Sequence, residues 1–296
     1  MILKSKAGAE QAGMRLDDGT KALFPRLSKG DIRRIIDRGG CTVAGVLVRV
    51  ASRTLREGDE IAIGVMDPER CIDLVYKQSD MLFEDHEYLA VNKAAGVNSQ
   101  RTPYQLKGTV EYAVDRYLKS RWVNEPARVI HRLDLGTSGV MFFPKSKPAA
   151  THISALLKAG KVEKIYWTLV AGTPKEETWT VNAPIDRLSK FRYGVANSGR
   201  EARTSFRAMA RGAGAALVEA RPLTGRTHQI RVHLAHLGFQ VIGDQAYGGP
   251  PASRMMLHCR SMAFSARDGR EVAATAPVDE EFKKVCGEYG ITLGNA

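Results

Sequence analysis

One carboxylate in this sequence stands in a setting that suits chemistry. Asp134 lies in the run His131-Arg132-Leu133-Asp134-Leu135-Gly136-Thr137-Ser138-Gly139-Val140. Val129-Ile130 precedes the run and Met141-Phe142-Phe143 follows it. Short apolar stretches on both sides of a polar loop predict two buried strands with the loop between them. Arg132 is two residues ahead of the acid. Gly136 and Gly139 would let a backbone come close to a ligand. Thr137 and Ser138 would tie the loop down through side-chain to backbone hydrogen bonds. An Asp facing an Arg stays ionised and serves as a nucleophile or a base. The same residues also suit a structural turn with a solvated Asp, because loops collect them for folding reasons.

A second dense stretch is Pro222-Leu223-Thr224-Gly225-Arg226-Thr227-His228-Gln229-Ile230-Arg231. His228, His233 and His236 invite a metal reading, but their spacing gives no pair-plus-acid site and no thiolate cluster supports them. No metal is expected. Tyr166 sits in a run from Val162 to Val170 that alternates as a strand: Ile165, Trp167 and Leu169 face one way, Lys164, Tyr166 and Thr168 the other. A half-buried sheet tyrosine is the plain alternative to an active one.

The elements that must position these groups follow from the rest of the chain. Its 296 residues suffice for one large domain and one small one. Lys and Arg number 44 against 32 acids, a net charge of +12. That excess favours polyanionic partners, nucleic acid first. Cys41, Cys71, Cys259 and Cys286 are scattered with no C-x-x-C pair, which fits a reducing cytosol and a cytoplasmic location. No stretch reaches the length of a membrane span, and no obligate protein partner is evident.

Residues 14–63 read as a module of their own. Ser28 and Asp31 suit a helix start, and Ile32, Ile35 and Ile36 give the helix an apolar face. Arg26, Lys29 and Arg33 lie on one flank of that face, and Gly39-Gly40 ends the helix. A short hairpin through Gly45 follows. Residues 64–79, with Pro68, read as a linker, and 80–296 as the larger domain. There, Met81–Asp85 and Leu89–Lys93 open with strands; Lys93 is taken as an exposed lysine within possible reach of a polyanion. A helix capped by Thr109 carries Val110, Ala113, Val114, Tyr117 and Leu118 inward. Pro148 and Gly160 bound another. Thr204 and Leu217–Ala220 mark paired strands, and Ile230, Leu234 and Leu237 a helix ending at Gly238.

Taken whole, His-Arg-Leu-Asp-x-x-Thr-Ser-Gly resembles the signature loop of the RluA-type pseudouridine synthases, far more specifically than a lone glycine motif would. The larger domain is similar to that family through further matches: Glu84-Asp85 and Asn92-Lys93, with Ala94 where Pro is usual; Lys164-Ile165-Tyr166; Pro222–Arg231; Ile242-Gly243-Asp244; Tyr247-Gly248; Met256–Cys259; Phe264; and Ala276-Pro277. Leu135 departs from relatives that carry a basic residue after the Asp. The small module resembles the S-four-like, or α-L, RNA-binding module through Arg15-Leu16-Asp17, Leu27-Ser28-Lys29, Gly45 and Gly58-Asp59.

The resemblance implies an α+β fold: a catalytic domain with a mixed, mostly antiparallel sheet and flanking helices, preceded by a small RNA-binding domain. It implies isomerisation of uridine to pseudouridine in structured RNA, ribosomal or transfer. By resemblance Asp134 is the catalytic aspartate, Tyr166 stacks on the uracil and helps move a proton, and Arg231 pairs with the aspartate, with Arg226 the competing candidate. Leu257 lies against the base, where core packing is its alternative. Arg132 and Arg226 would touch the nucleotide strand, and Arg26, Lys29 and Arg33 would bind phosphates. The reaction loses no group and changes no redox state, so no cofactor is implied. The target must be flipped out of its stack at a cost of a few kcal/mol. Two other functions remain open: a catalytically inactive RNA-binding or ribosome-assembly factor, and a nucleoside glycosidase, which usually needs an acid cluster or metal on the ribose.

Overall fold

Alternation of apolar residues produces two separate sheets. The computed structural model describes residues 2–65, 74–102, 105–189 and 192–293. They divide into one unit running to Val75 with Gln100–Tyr117, and a second made of Tyr76–Ser99 and the chain from Leu118 on. Pro68, Cys71 and the middle of the 64–79 linker lie outside the described residues.

In the first unit, β1 (Ile2–Lys6), β2 (Cys41–Val43), β3 (Val46–Val48) and β4 (Glu60–Gly64) form an antiparallel sheet in the order β1-β4-β2-β3. Two helices, α1 (Leu16–Leu23) and α2 (Lys29–Asp37), complete it. The Ser28 hydroxyl accepts the Asp31 N–H at 3.0 Å and so starts α2 where the sequence predicts. Ile32, Ile35 and Ile36 are buried in one cluster with Val43, Ile61 and Ile63. The β2–β3 turn needs two left-handed residues, and Ala44 (φ 50°) and Gly45 (φ 76°) supply them. This unit takes in more chain than residues 14–63. Ile2 through Lys6 pair along the whole of β4. Arg101 reaches Glu111 at 2.9 Å and Asp115 at 3.1 Å, and Arg38 reaches Glu111 at 3.2 Å.

The second unit is built on β5 (Met81–Glu84), β6 (Tyr88–Lys93), β7 (Ser138–Pro144), β8 (Glu163–Ala171), β9 (Thr178–Asn182), β12 (Arg203–Arg211), β13 (Ala215–Pro222), β14 (Leu257–Ser265) and β15 (Glu271–Thr275). Between β9 and β12, β10 (Ile185–Arg187) and β11 (Tyr193–Val195) make a hairpin of their own. Among the described residues the large sheet runs β5-β6-β7-β14-β8-β13-β12-β9, with β15 beside β14. Every pairing is antiparallel except that of β7 with β14. The sheet is therefore mixed and mostly antiparallel, as expected. Its helices are the end of α3 (Val110–Ser120), α4 (Lys147–Lys158), α5 (Gln229–His236) and α6 (Glu280–Glu288).

The period-2 pattern of β8 sets the two faces. Trp167 and Leu169 pack with Leu217 and with Phe282 and Val285 of α6. Val170, with Tyr166 beside it, packs with Val218, Ala220 and Leu257 and with Ile230 and Leu234 of α5. Tyr166 and Leu257 are thereby brought to the face that α5 covers.

Two expectations for the signature loop need correction. No strand forms at Val129-Ile130, because β7 already has β6 on one side and β14 on the other. The glycines serve the fold rather than a ligand. A Cβ on Gly139 (φ +115°) would lie 2.1 Å from the Cys259 carbonyl oxygen, and one on Gly136 would lie 3.1 Å from Met255 Cβ. The loop is pressed against the chain that leads into β14.

Candidate active site

Asp134 sits in the loop just before β7, and the loop is fixed from outside rather than by its own hydroxyls. The Ser99 hydroxyl donates to the Leu133 carbonyl at 2.7 Å and accepts the Leu133 N–H at 3.0 Å. Ser138 instead bonds the ring of His258 at 2.8 Å. His131 accepts the Phe142 N–H through Nε2 at 3.1 Å, so its ring stands where a strand neighbour would. Burial pushes the His131 imidazole down to about 4, with Lys164 adding to the effect, so it remains a neutral acceptor.

Lys93 overturns the expectation of an exposed lysine. It is fully buried at the end of β6. Its Nζ donates to the carbonyls of Ala94 (2.9 Å), Leu135 (3.2 Å) and Thr137 (2.6 Å). Burial lowers the ammonium to about 7, against the opposing attraction of Asp134. Three acceptors call for three N–H donors, which the protonated form has and the neutral amine lacks. A sequence signal was present: Lys93 follows Leu89 and Val91 at period 2, on one face of a buried strand.

Arg231, in the first turn of α5, meets Asp134 across a separation of 97 residues. Its Nη1 donates to Asp134 Oδ2 at 2.8 Å. The rest of its fork is held by Asp244, with Nε to Oδ2 at 2.6 Å and Nη2 to Oδ1 at 2.8 Å. Its guanidinium carbon lies 4.9 Å from the centre of the Tyr247 ring. Burial lowers the Arg231 pKa, but the two aspartates outweigh it and raise the group above its usual value, so it is a permanent cation. Arg226 turns elsewhere and donates from Nε to the Glu201 carbonyl at 2.8 Å. Arg231 is thus the arginine that meets the acid. Asp244, noted in the sequence only as part of a matching motif, fixes it.

A cavity of about 760 Å³ opens here, lined by Asp134, Tyr166, Arg231 and Leu257 and by Arg132, Arg226 and other cations. Tyr166, on β8, has Cys259 of β14 as its register partner. Burial first, then Cys259 and Asp134, push the phenol well above its usual range. Near neutral pH Tyr166 is therefore an O–H donor and a stacking surface. Leu257 is buried, with its side chain on the cavity. Arg132 is exposed at the rim. The arrangement can hold a carboxylate beside a planar group in a cavity that Tyr166 and Leu257 also line.

Two of the three histidines in this region hold other partners. His228 Nδ1 lies 2.9 Å from the Tyr247 hydroxyl. The fully buried His233 bonds Thr204 (2.9 Å) and the Ala183 carbonyl (3.0 Å). In the first unit Arg26 is exposed. Lys29 is paired with Asp18, and Arg33 with Asp17 at 2.5 Å. Burial pushes the Asp17 carboxyl up, but Arg15 and Arg33 outweigh it and hold it at about 2.

Comparison with known proteins bears on this geometry. Residues 87–236 match the RNA pseudouridylate synthase family. The chain is 30% identical to an uncharacterized RNA pseudouridine synthase of Synechocystis sp., over 92% of this chain and 88% of that one. It is 34% identical to the ribosomal large subunit pseudouridine synthase D of Xylella fastidiosa, over 80% and 72%. The solved structure of human RNA pseudouridylate synthase domain containing 4 shares the fold, with a TM-score of 0.63 at 22% identity over 73% of this chain and 95% of that one. No described helix is long and apolar enough to cross a membrane. With half its length matched and its sheet shared, the chain belongs to the RNA pseudouridylate synthase family, whose members are RNA-modifying isomerases.

Proposed function

We propose that this enzyme, of the RluA type, isomerises specific uridines in structured RNA, ribosomal or transfer, and that Asp134 is the group that reacts at the flipped-out nucleotide. The observation that carries the reading is the Arg231–Asp134 contact at 2.8 Å on the wall of a cation-rich cavity beside Tyr166 and Leu257. The reaction breaks the N1–C1′ bond and forms C5–C1′. The proton on C5 leaves and N1 gains one, so atoms balance with no added reactant. Asp134 attacks covalently or removes a sugar proton. Arg231 holds it aimed. Tyr166 and Leu257 hold the detached uracil so that it turns without escaping, which separates this chemistry from that of a glycosidase.

The first unit is proposed as an S-four-like RNA-binding module covering at least residues 14–63, followed by a linker at 64–79 and the catalytic domain at 80–296. Arg26 is its most available phosphate contact, since Lys29 and Arg33 are already paired. Ribosomal RNA is the first substrate to assay, given the similarity to a protein named for the large subunit. A cytoplasmic location fits buried, unpaired thiols at Cys41, Cys259 and Cys286.

Tritium release from RNA carrying 5-tritiated uridine tests the reading. Wild type should release label and retain the base in the strand. Asp134→Asn should release none while binding RNA within a few-fold, because the amide is nearly isosteric but is neither nucleophile nor base. Turnover near wild type in that variant, or loss of uracil from the RNA, would refute the assignment.

A further inference from the structure

We infer that His228 is a positioning residue for Asp134: as a neutral imidazole with its proton on Nε2, it holds the Oδ2 edge of the carboxylate and leaves Oδ1 as the reacting oxygen. The inference rests on the reading that Asp134 is the reacting group.

His228 stands just before α5 in the left-handed region (φ 57°, ψ 20°). Such a conformation is uncommon for a residue with a side chain and favours Gly or Asn, so some contact of the ring must offset the strain. The ring is gripped at both ends. Nδ1 lies 2.9 Å from the Tyr247 hydroxyl, and Nε2 lies 3.8 Å from Asp134 Oδ2. Tyr193 and Tyr247 both pack edge-on against it, with centroids 5.5 and 5.7 Å away.

The hydroxyl network selects the tautomer. The Tyr193 N–H donates to the Tyr247 oxygen at 3.2 Å. The phenol's own proton then has one acceptor among the described residues, His228 Nδ1. Tyr247 donates to Nδ1, and the ring proton is on Nε2, the nitrogen nearest Asp134. Arg231 binds the same oxygen, Oδ2, while no described group bonds Oδ1. One hydrogen bond from Arg231 and the His228 Nε2 edge, both on Oδ2, make the carboxylate asymmetric and oppose its rotation. At 3.8 Å the imidazole contact is a dipole facing an anion, longer than a hydrogen bond; contacts of this kind tighten when substrate fills a site.

The groups that face His228 are Asp134, Arg231, Asp244 and Arg132, with Tyr193 and Tyr247 against its ring. Burial lowers its pKa first, and the opposing pulls of Asp134 and Arg231 follow. Protonating it places a hydrogen on Nδ1, where Tyr247 already donates. Acid therefore breaks the arrangement through His228.

The experiment compares His228→Gln, His228→Asn and His228→Ala with Asp134→Asn in parallel, by kcat, KM and pH–rate profile on the same RNA. The Gln amide nitrogen reaches about where Nε2 was; Asn suits the left-handed backbone but falls short of Asp134. The expected result is a kcat about tenfold to a hundredfold lower for Asn and Ala with KM within about threefold, as for a displaced reacting group, and partial recovery in Gln. The acid limb of the Gln variant should move to lower pH, since no imidazole remains to titrate. Equal losses in all three variants with an unmoved acid limb would overturn the inference in favour of a fold role. A raised KM at unchanged kcat would overturn it in favour of an RNA contact, and wild-type kinetics would overturn it outright. If Asp134→Asn is itself active, the reading of the site fails first; if only the His228 variants disappoint, this inference fails alone.

Discussion

Asp244→Asn isolates what holds the active-site arginine. Asp244 is buried and accepts two hydrogen bonds from Arg231, at 2.6 and 2.8 Å. The amide keeps one acceptor and turns an NH2 toward the guanidinium. At least one charge-assisted bond is lost, worth about 1.5–3 kcal/mol. Breaking a buried pair outright costs about 3–5 kcal/mol, but Arg231 retains Asp134, so the cost should fall near 3 kcal/mol. That is more than a hundredfold in the unfolding equilibrium at about 1.36 kcal/mol per tenfold. Activity should fall as well, although Asp244 touches no substrate. The freed fork can swing onto Asp134 in a two-point grip and occupy Oδ1. Asp134→Asn is the control: Arg231 stays forked by Asp244, and the lost contact is partly exposed, so stability should change by less than about 1 kcal/mol. Denaturant melts of the two variants, with tritium release and RNA binding, supply the readout. If Asp244→Asn is as stable and as active as wild type, or if Asp134→Asn is the less stable of the two, the clamp has been assigned the wrong role.

Lys93→Met should loosen the loop around Asp134 and lower turnover, and its pH dependence carries a sign. The folded pKa, about 7, is below the free value of 10.5. Between these the unfolded chain holds a proton that the fold does not, so this group's contribution to stability rises with pH across that window and is least favourable below it. The stability difference between wild type and Lys93→Met should therefore grow from pH 6.5 to pH 9 in urea melts; a flat difference would mean that Lys93 stays charged throughout. In the first unit, Arg26→Ala should weaken RNA binding and reduce its salt slope more than Arg33→Ala, because Arg33 is already paired with Asp17; salt-titrated filter binding would show the order reversed if that pairing opens on RNA.

The parts of the site that repeat locally were legible in the sequence. The alternation of β8 put Tyr166 on the polar side, and the Ser28 cap placed α2. What failed depends on chain far away. Val129-Ile130 reads as a strand by composition, yet β14, beginning at Leu257, occupies the place beside β7 that it would need. Gly136 and Gly139 looked like room for a ligand because what presses on them, the Met255 side chain and the Cys259 backbone, lies over a hundred residues on. Arg226 and Arg231 could not be separated because α5 begins with no ordinary cap: the left-handed turn at His228 sets its start, and so decides which arginine enters the helix. Asp244 had no meaning until Arg231 was placed.

The position of β14 has a consequence for the order in which the enzyme comes into being. β5, β6 and β7, with the Asp134 loop, form one half of the sheet; β8, β13, β12 and β9, with α5, form the other; β14 lies between β7 and β8 and follows the strands of both halves in the chain. Until about residue 265 has left the ribosome, the two halves face each other across a missing strand, each with a bare edge. Asp134 and Arg231 therefore have no common scaffold until that strand is made. Arrival of this one strand closes the gap, covers both edges and brings acid and cation to 2.8 Å, so the reactive centre can form only after β14 has been made.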